Sequence, residues 1–335
     1  MDTKTKSRTT TATNAAESLK GLWRDLITNG EFIINADDSR GEITLVNGEP
    51  CLRAYDKDDK EILPAERSRK VGAHVLKSQH FRGRRPGSAK REMRFGPPPP
   101  PQRDGFLVAD PKHPNSIMMR PYVTFKLGCG QRIGCVRNGW PISTKGHFLG
   151  LICTETSDGI TYPWVEQRLT PETIELILEL ALAVGPSYAV GYNPKDFGAS
   201  QEQFHVHIVD DDYAVERAAR VRLAGGGSFP LYPAGCLILE KASSATISQW
   251  VRRLDAHGIL TNLLVRSDVA YIYPRRRGIG IISEFPAGMI AFSELSGVWI
   301  CSDEIYEVID EEWLRVALRK VTVPVEDAWG MVMSG

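Results

Sequence analysis

The stretch Gly198-Ala199-Ser200-Gln201-Glu202-Gln203-Phe204-His205-Val206-His207-Ile208-Val209 carries most of what the chain reveals about itself. From Phe204 onward, apolar residues alternate with histidines, the period of a strand packed on one face. Residues two apart share a face, so His205 and His207 project together. The polar segment ahead of them predicts a loop that brings Ser200, Gln201 and Gln203 to the same end. Imidazoles beside hydroxyl, amide and loop N–H groups suit chemistry at phosphorus. A neutral imidazole attacks, a phosphoramidate splits one displacement into two, and the donors hold the oxygens as charge moves. His207 would then need its other nitrogen to donate to a fixed acceptor. Two further readings stay open on these residues alone. One is a strand with two packed, satisfied histidines. The other is a metal site in which His205-x-His207-x3-Asp211 imitates the two-histidine, one-carboxylate set of a cupin. The strong helix upstream, and the lack of a matching Gly and His strand downstream, weigh against the cupin.

Outward from this stretch, Thr170-Pro171 caps a helix whose apolar positions Ile174, Ile177, Leu178 and Ala181 have helical spacing, with Gly185-Pro186 as its stop. Strands are predicted at Tyr122–Leu127, Ile133–Asn138, Phe148–Cys153 and Tyr188–Tyr192. A second series follows the glycines at 225–227: a strand at Cys236–Glu240, a helix at Ser244–His257, and strands at Leu260–Arg266 and Val269–Tyr273. Its order loosely echoes the first series, without the histidines. Ser302 to Lys320 predicts one helical tail. Near the start, Leu19, Leu22, Trp23, Leu26 and Ile27 form one helical face closed by Asn29-Gly30, followed by strands at Glu31–Asn35 and Glu42–Val46. The segment from Lys77 to Arg94 is basic and runs towards five prolines, Pro97 to Pro101, which predict an extended polyproline stretch. The elements add up to an α+β fold, mainly antiparallel sheet with helices on one side.

Composition narrows the function classes. The 335 residues suggest about two domains, and 41 Lys and Arg balance 41 Asp and Glu. A chain without net charge has no global field to hold a polyanion, which argues against a nucleic-acid coat or a membrane-surface protein. No apolar run has the length of a membrane span. The start, MDTKTKSRTTTATN, lacks the apolar core of a secretory signal and predicts a disordered tail. The six cysteines are scattered without a CxxC pair, as free thiols in a reducing cytoplasm would be. Gly225–Gly227 lacks the Lys-Ser/Thr of a phosphate loop and predicts a connection.

The segment from Asn138 to Val209 resembles the histidine-triad superfamily, in the branch with galactose-1-phosphate uridylyltransferase, diadenosine tetraphosphate phosphorylase and GDP-hexose phosphorylases. The residues that carry the likeness are Asn138-Gly139-Trp140-Pro141, Gly146-His147-Phe148-Leu149 and Leu169-Thr170-Pro171-Glu172, then Gly198-Ala199-Ser200-Gln201 and His205-Val206-His207. Weaker likeness at Phe95–Pro98 with Phe106–Val108, Asn262–Leu264, Tyr273–Arg275 and Gly297 to Lys320 extends it over roughly 95–322. The resemblance implies an antiparallel histidine-triad sheet built as two related units, the second degenerate, behind an N-terminal extension. The expected division is a tail at 1–13, a helix, small sheet and basic loop at 14–94, a catalytic unit at 95–224, and a degenerate unit with the closing helix at 225–335.

The resemblance also implies a cytoplasmic transferase, phosphorylase or hydrolase with His207 as nucleophile and His205 beside it. Asn138, Lys145, His147, Ser200, Gln201, Gln203 and Arg275 would bind substrate. The substrate would be a nucleoside diphosphate sugar or dinucleoside polyphosphate, with inorganic phosphate or a sugar phosphate as acceptor. No metal ligands are expected; a divalent cation such as Mg²⁺ and a homodimer are left open, and neither nucleic acid nor membrane is an expected partner. Two positions depart from the family. Val209 stands where it has Gln or a third His, and four residues separate Ser200 from His205 where the phosphorylases have two. The loop must bulge, or Gln203 takes over a binding role. The departures allow a nucleotide-binding protein without transferase chemistry, or one redirected to a biosynthetic reaction.

Overall fold

The computed structural model describes residues 8–10, 15–28, 40–46, 49–55, 61–62, 67–70, 73–77, 123–137, 143, 145–157, 159–195, 197–199, 202–224, 226–241, 243–279, 282–283, 285, 290–301 and 303–334. The first part holds β1 (Arg8–Thr10), α1 (Ala15–Thr28), β2 (Arg40–Val46), β3 (Glu49–Tyr55), β4 (Glu61–Ile62), β5 (Arg67–Lys70) and β6 (Ala73–Lys77). The middle holds β7 (Val123–Lys126), β8 (Arg132–Arg137), β9 (His147–Thr156), β10 (Gly159–Thr161), α2 (Pro171–Val184), β11 (Ala189–Tyr192) and β12 (His205–Val209). Then come α3 (Ala214–Arg217), β13 (Arg220–Arg222), β14 (Ser228–Pro230), β15 (Leu237–Glu240), α4 (Ser244–Ala256), β16 (Thr261–Arg266) and β17 (Val269–Pro274). The chain closes with α5 (Phe292–Ser296), β18 (Val298–Cys301), α6 (Asp303–Val308), α7 (Glu311–Val321) and α8 (Val325–Met333).

The fold is α+β with a large sheet, as the sequence predicts. Among the described residues that sheet has twelve strands in the order β1-β7-β8-β9-β12-β11-β16-β17-β15-β14-β13, with β10 on β9. Every pairing in it is antiparallel except β1 on β7. On either side of the β11–β16 seam the strands run in the same relative order, and a helix joins the third to the fourth on each side. Two further three-stranded sheets, β18-β6-β5 and β2-β3-β4, complete the strands described.

Alternation along the strands separates two cores. Val206 and Ile208 of β12, with Val190, Tyr192, Leu263 and Ile272, face a layer made by α1, α2, α4 and α8. That layer is built from Leu19 and Trp23, Ile174 and Ile177, Trp250 and Leu254, and Val332. Thr170 caps α2 through Thr173 in a reciprocal capping box with Pro171 at its start, and Gly185 ends it at φ 76°. Val209, Ala189, Leu264 and Tyr273 point to the opposite face, onto Phe292, Leu295, Trp299, Leu314 and Leu318. The histidines of β12 share that second face.

Two expectations are corrected here. Arg8–Thr10, expected in a disordered tail, pairs in parallel with Val123–Phe125. The single helix expected from Ser302 to Lys320 is two: Asp310, extended, accepts the Trp313 N–H and starts α7 afresh. Just before it, Val298–Cys301 is a strand beside Ala73–Lys77. The helix stop at Asn29-Gly30, the strand at Glu31–Asn35, the basic run beyond Lys77 and the prolines at 97–101 lie outside the described residues. Among the described residues, no helix is long and apolar enough to cross a membrane.

Candidate active site

The strand β12 lies between β9 and β11, with His207 opposite Leu149 on one side and Gly191 on the other. His205 and His207 project from the same face, their ring centroids 5.7 Å apart. The His147 and Phe292 rings approach His207 from two further directions, at 5.2 Å and 5.3 Å. His147 Nε2 lies 3.0 Å from His207 Nδ1. His207 is half-buried, with its Nε2 shielded from solvent.

His205 is the more deeply set of the pair, 4% exposed. Its Nδ1 lies 2.8 Å from the Gln203 carbonyl, which only accepts, so Nδ1 carries the proton. Burial pushes the imidazole pKa below the usual histidine range, opposed by that hydrogen bond, and the ring is neutral near pH 7. The backbone around it is held by Gln167. Its amide donates to the carbonyls of Asn193 and His205 at 2.7 Å and 3.1 Å, and its Oε1 accepts the His205 N–H at 2.7 Å. The Tyr192 hydroxyl donates to the Gln167 carbonyl, so the segment that ends at the α2 cap is stitched to β11 as well as to the strand bearing the histidines.

The turn at 197–199 depends on a glycine. Gly198 has φ 114°, and a Cβ there would meet the Ala291 Cβ at 2.6 Å and Asn193 Cγ at 2.9 Å. Phe197 and Ala199 N–H both bond the Pro194 carbonyl, and Lys195 pairs with Glu202 across the base of the loop. Glu202 and Phe204 then bond the backbone of Gln167 and Val165. Residues 202–204 thus dock on residues 163–167.

The expected site residues fall into four groups. His147, His205 and His207 are brought together. Gln203, expected to hold phosphate oxygens, is buried and donates its amide to the Pro163 carbonyl, so its side chain serves the loop. Arg275, expected to bind substrate, is fully buried: its guanidinium donates to Asn262 and to the Ile290 and Val321 carbonyls and lies over the Phe197 ring. Burial lowers its pKa, with Glu294 opposing, and a donor fork satisfied in this way does not reach a ligand. Lys145 is exposed at the start of β9, close to Asp210, whose carboxyl burial pushes up and Lys145 draws back. Asn138, Ser200 and Gln201 lie outside the described residues. Val209 packs with Ala189, Tyr213 and Val215, so this position offers the site no hydrogen bond.

The site also uses residues that sequence reasoning passed over. Gln167, Asn193, Gly191 and Phe292 have no periodic signature; each matters through a partner distant in the chain. The nearest signal was Gln167 itself, a polar residue just ahead of the α2 cap. The cupin reading gains no support. Among the described residues no group of three or more His, Cys, Asp or Glu is arranged to hold a metal ion, and Asp211 Oδ1 accepts the Asp212 N–H.

No protein-family model matches the chain, and no curated protein matches it by sequence. Solved structures do. The chain is similar to yeast Ap4A phosphorylase Apa2 with a TM-score of 0.55 and 14% identity, over 93% of this chain and 98% of that one. Against the same enzyme in complex with AMP the TM-score is 0.54 with 13% identity, over 93% of this chain and 97% of the other. Its complex with Ap4A gives 0.52 and 12%, over 93% and 98%. The chain thus shares the fold of these structures, an α+β fold with a large, mainly antiparallel sheet.

Proposed function

We propose that the protein is a nucleotidyltransferase or phosphorylase acting on a dinucleoside polyphosphate or a nucleoside diphosphate sugar, through a nucleotidyl-histidine at His207. The observation that carries this reading is the 3.0 Å contact between His147 Nε2 and His207 Nδ1, in a chain whose fold is similar to an enzyme solved in complex with AMP and with Ap4A. If Nδ1–H of His207 donates to His147, the lone pair on His207 Nε2 is left for attack. A P–N bond forms as the bond from that phosphorus to the leaving oxygen breaks, releasing a nucleoside polyphosphate or sugar phosphate. Inorganic phosphate or a sugar phosphate then attacks the same phosphorus and frees Nε2. His147 keeps the Nδ1 proton in place through both steps. His205, neutral and fixed by Gln203 and Gln167, closes one side of the ring. Asn138, Ser200 and Gln201 remain the proposed phosphate and nucleotide contacts.

Incubation with Ap4A or nucleoside diphosphate sugars labelled at the α-phosphate should place acid-labile label on His207. Turnover by His207→Ala equal to wild type would end the proposal. A second reading, nucleotide binding without transfer, draws on Val209, whose apolar packing supplies no donor beside the nucleophile. It predicts AMP binding that persists in His207→Ala, with no label on any histidine. We also propose that the chain holds two copies of one unit, expected at 95–224 and 225–335; the repeated strand order about the β11–β16 seam supports it, with β13 (Arg220–Arg222) as the first strand of the second copy.

A further inference from the structure

Three buried polar side chains meet where the strands of the C-terminal half reach the active-site loop. Asn193 follows β11, Asn262 lies in β16 and Arg275 follows β17. Asn262 and Arg275 are 0% exposed and Asn193 is 2%. Asn262 Nδ2 donates to Asn193 Oδ1 at 2.7 Å and to the Phe197 carbonyl at 2.9 Å. Asn262 Oδ1 accepts from Arg275 Nη1 at 2.8 Å, and the same nitrogen donates to the Ile290 carbonyl at 2.6 Å. Asn193 Oδ1 takes a second hydrogen bond from the Phe292 N–H at 2.8 Å.

This chain of bonds holds two segments that flank His207. One is Phe197–Ala199, whose Phe197 ring lies 4.9 Å beneath the Arg275 guanidinium. The other is Ile290–Phe292, whose Phe292 ring stands 5.3 Å from the His207 ring. The segments touch where Ala291 crosses Gly198. Buried amides and guanidinium groups add little stability over a well-packed apolar replacement. What they supply is direction, because each bond fixes an atom in position where apolar contacts would let it slide.

We propose that Asn193, Asn262 and Arg275 are positioning residues: through them the C-terminal half sets Phe292 and the Phe197–Ala199 turn against His207 for nucleotidyl transfer. The proposal rests on His207 as the nucleophile. Its test uses the full chain carrying Asn262→Asp, which keeps the acceptor for Arg275 and removes both donors. Arg275→Lys, which keeps the charge and removes the fork, stands in if the first variant does not fold. Two readouts are taken: the imidazole nitrogen signals of His207 in the nucleotide-free chain, and single-turnover label transfer from Ap4A.

The expected result is a shifted or broadened His207 signal and a labelling rate reduced by about 10–100-fold, since displacements of an ångström have effects of that order. AMP affinity should change by less than about threefold, the split between binding and chemistry that positioning implies. A His207 spectrum identical to wild type, or labelling within about twofold of it, overturns the proposal even if the variant melts earlier. If the wild-type chain labels no histidine, the proposed function fails, and the His207 spectrum alone then decides whether these residues position the ring.

Discussion

Replacing Gly191 with alanine tests the packing around His207 directly. Gly191 lies between His207 and Leu264 as their cross-strand neighbour, and a Cβ there would meet three ring carbons of Phe292 at 2.5, 2.5 and 2.6 Å. Comfortable carbon contacts begin near 3.5 Å, so the ring has to retreat by about 1 Å. It has nowhere to go: Phe292 is 1% exposed, with His207 at 5.3 Å and the Tyr213 ring at 6.2 Å. Overpacking of this kind costs about 1–3 kcal/mol. Against that, alanine in a strand gains about 0.5–1 kcal/mol over glycine by restricting the unfolded chain. The net expectation for Gly191→Ala is a loss of up to about 2.5 kcal/mol. In a Phe292→Leu background the ring carbons are gone and only the gain remains, so the same substitution should become neutral or stabilising. Urea unfolding of wild type, both single variants and the double variant measures this as a coupling of about 1–3 kcal/mol. Additivity within about 0.5 kcal/mol would refute the idea that Phe292 occupies the space Gly191 leaves open.

Three other outcomes follow from the site. His147→Leu should slow label transfer to His207 by about 10²–10⁴-fold through loss of the tautomer, whereas His147→Gln, which can still accept from Nδ1, should retain much more; equal losses would deny His147 its orienting role. His205 is buried neutral with a lowered pKa, so the unfolded chain binds its proton at higher pH than the folded one. Its contribution is complete above about pH 6.5 and is lost on acidification, at up to about 1.4 kcal/mol per pH unit. Melting temperatures measured between about pH 5 and 7 should fall more steeply for wild type than for His205→Gln, and parallel slopes would contradict the assignment. Gln167→Ala removes one acceptor from the His205 N–H and one donor from each of two carbonyls; a destabilisation of about 2–4 kcal/mol is expected by chemical unfolding, and less than about 1 kcal/mol would mean water replaces the side chain freely.

The sequence by itself determined the strands β7 to β9, β11, β12 and β15 to β17, the α2 cap and the shared face of His205 and His207, because period, capping and turn chemistry act between residues close in the chain. It also exposed Val209 as a departure, although what surrounds that position came only with the fold. The tertiary structure decided the rest. Arg275, expected from the resemblance to bind substrate, turned inward because Asn262 and the Ile290 and Val321 carbonyls form a polar cage there. Gln203 took the Pro163 carbonyl for the same kind of reason. His147 changed from a packing or binding residue to a partner of His207 once the register of β9 against β12 was fixed. A side chain's chemistry is written locally, but its partners are set by which strands pair, and pairing is decided by burying both faces of the sheet at once.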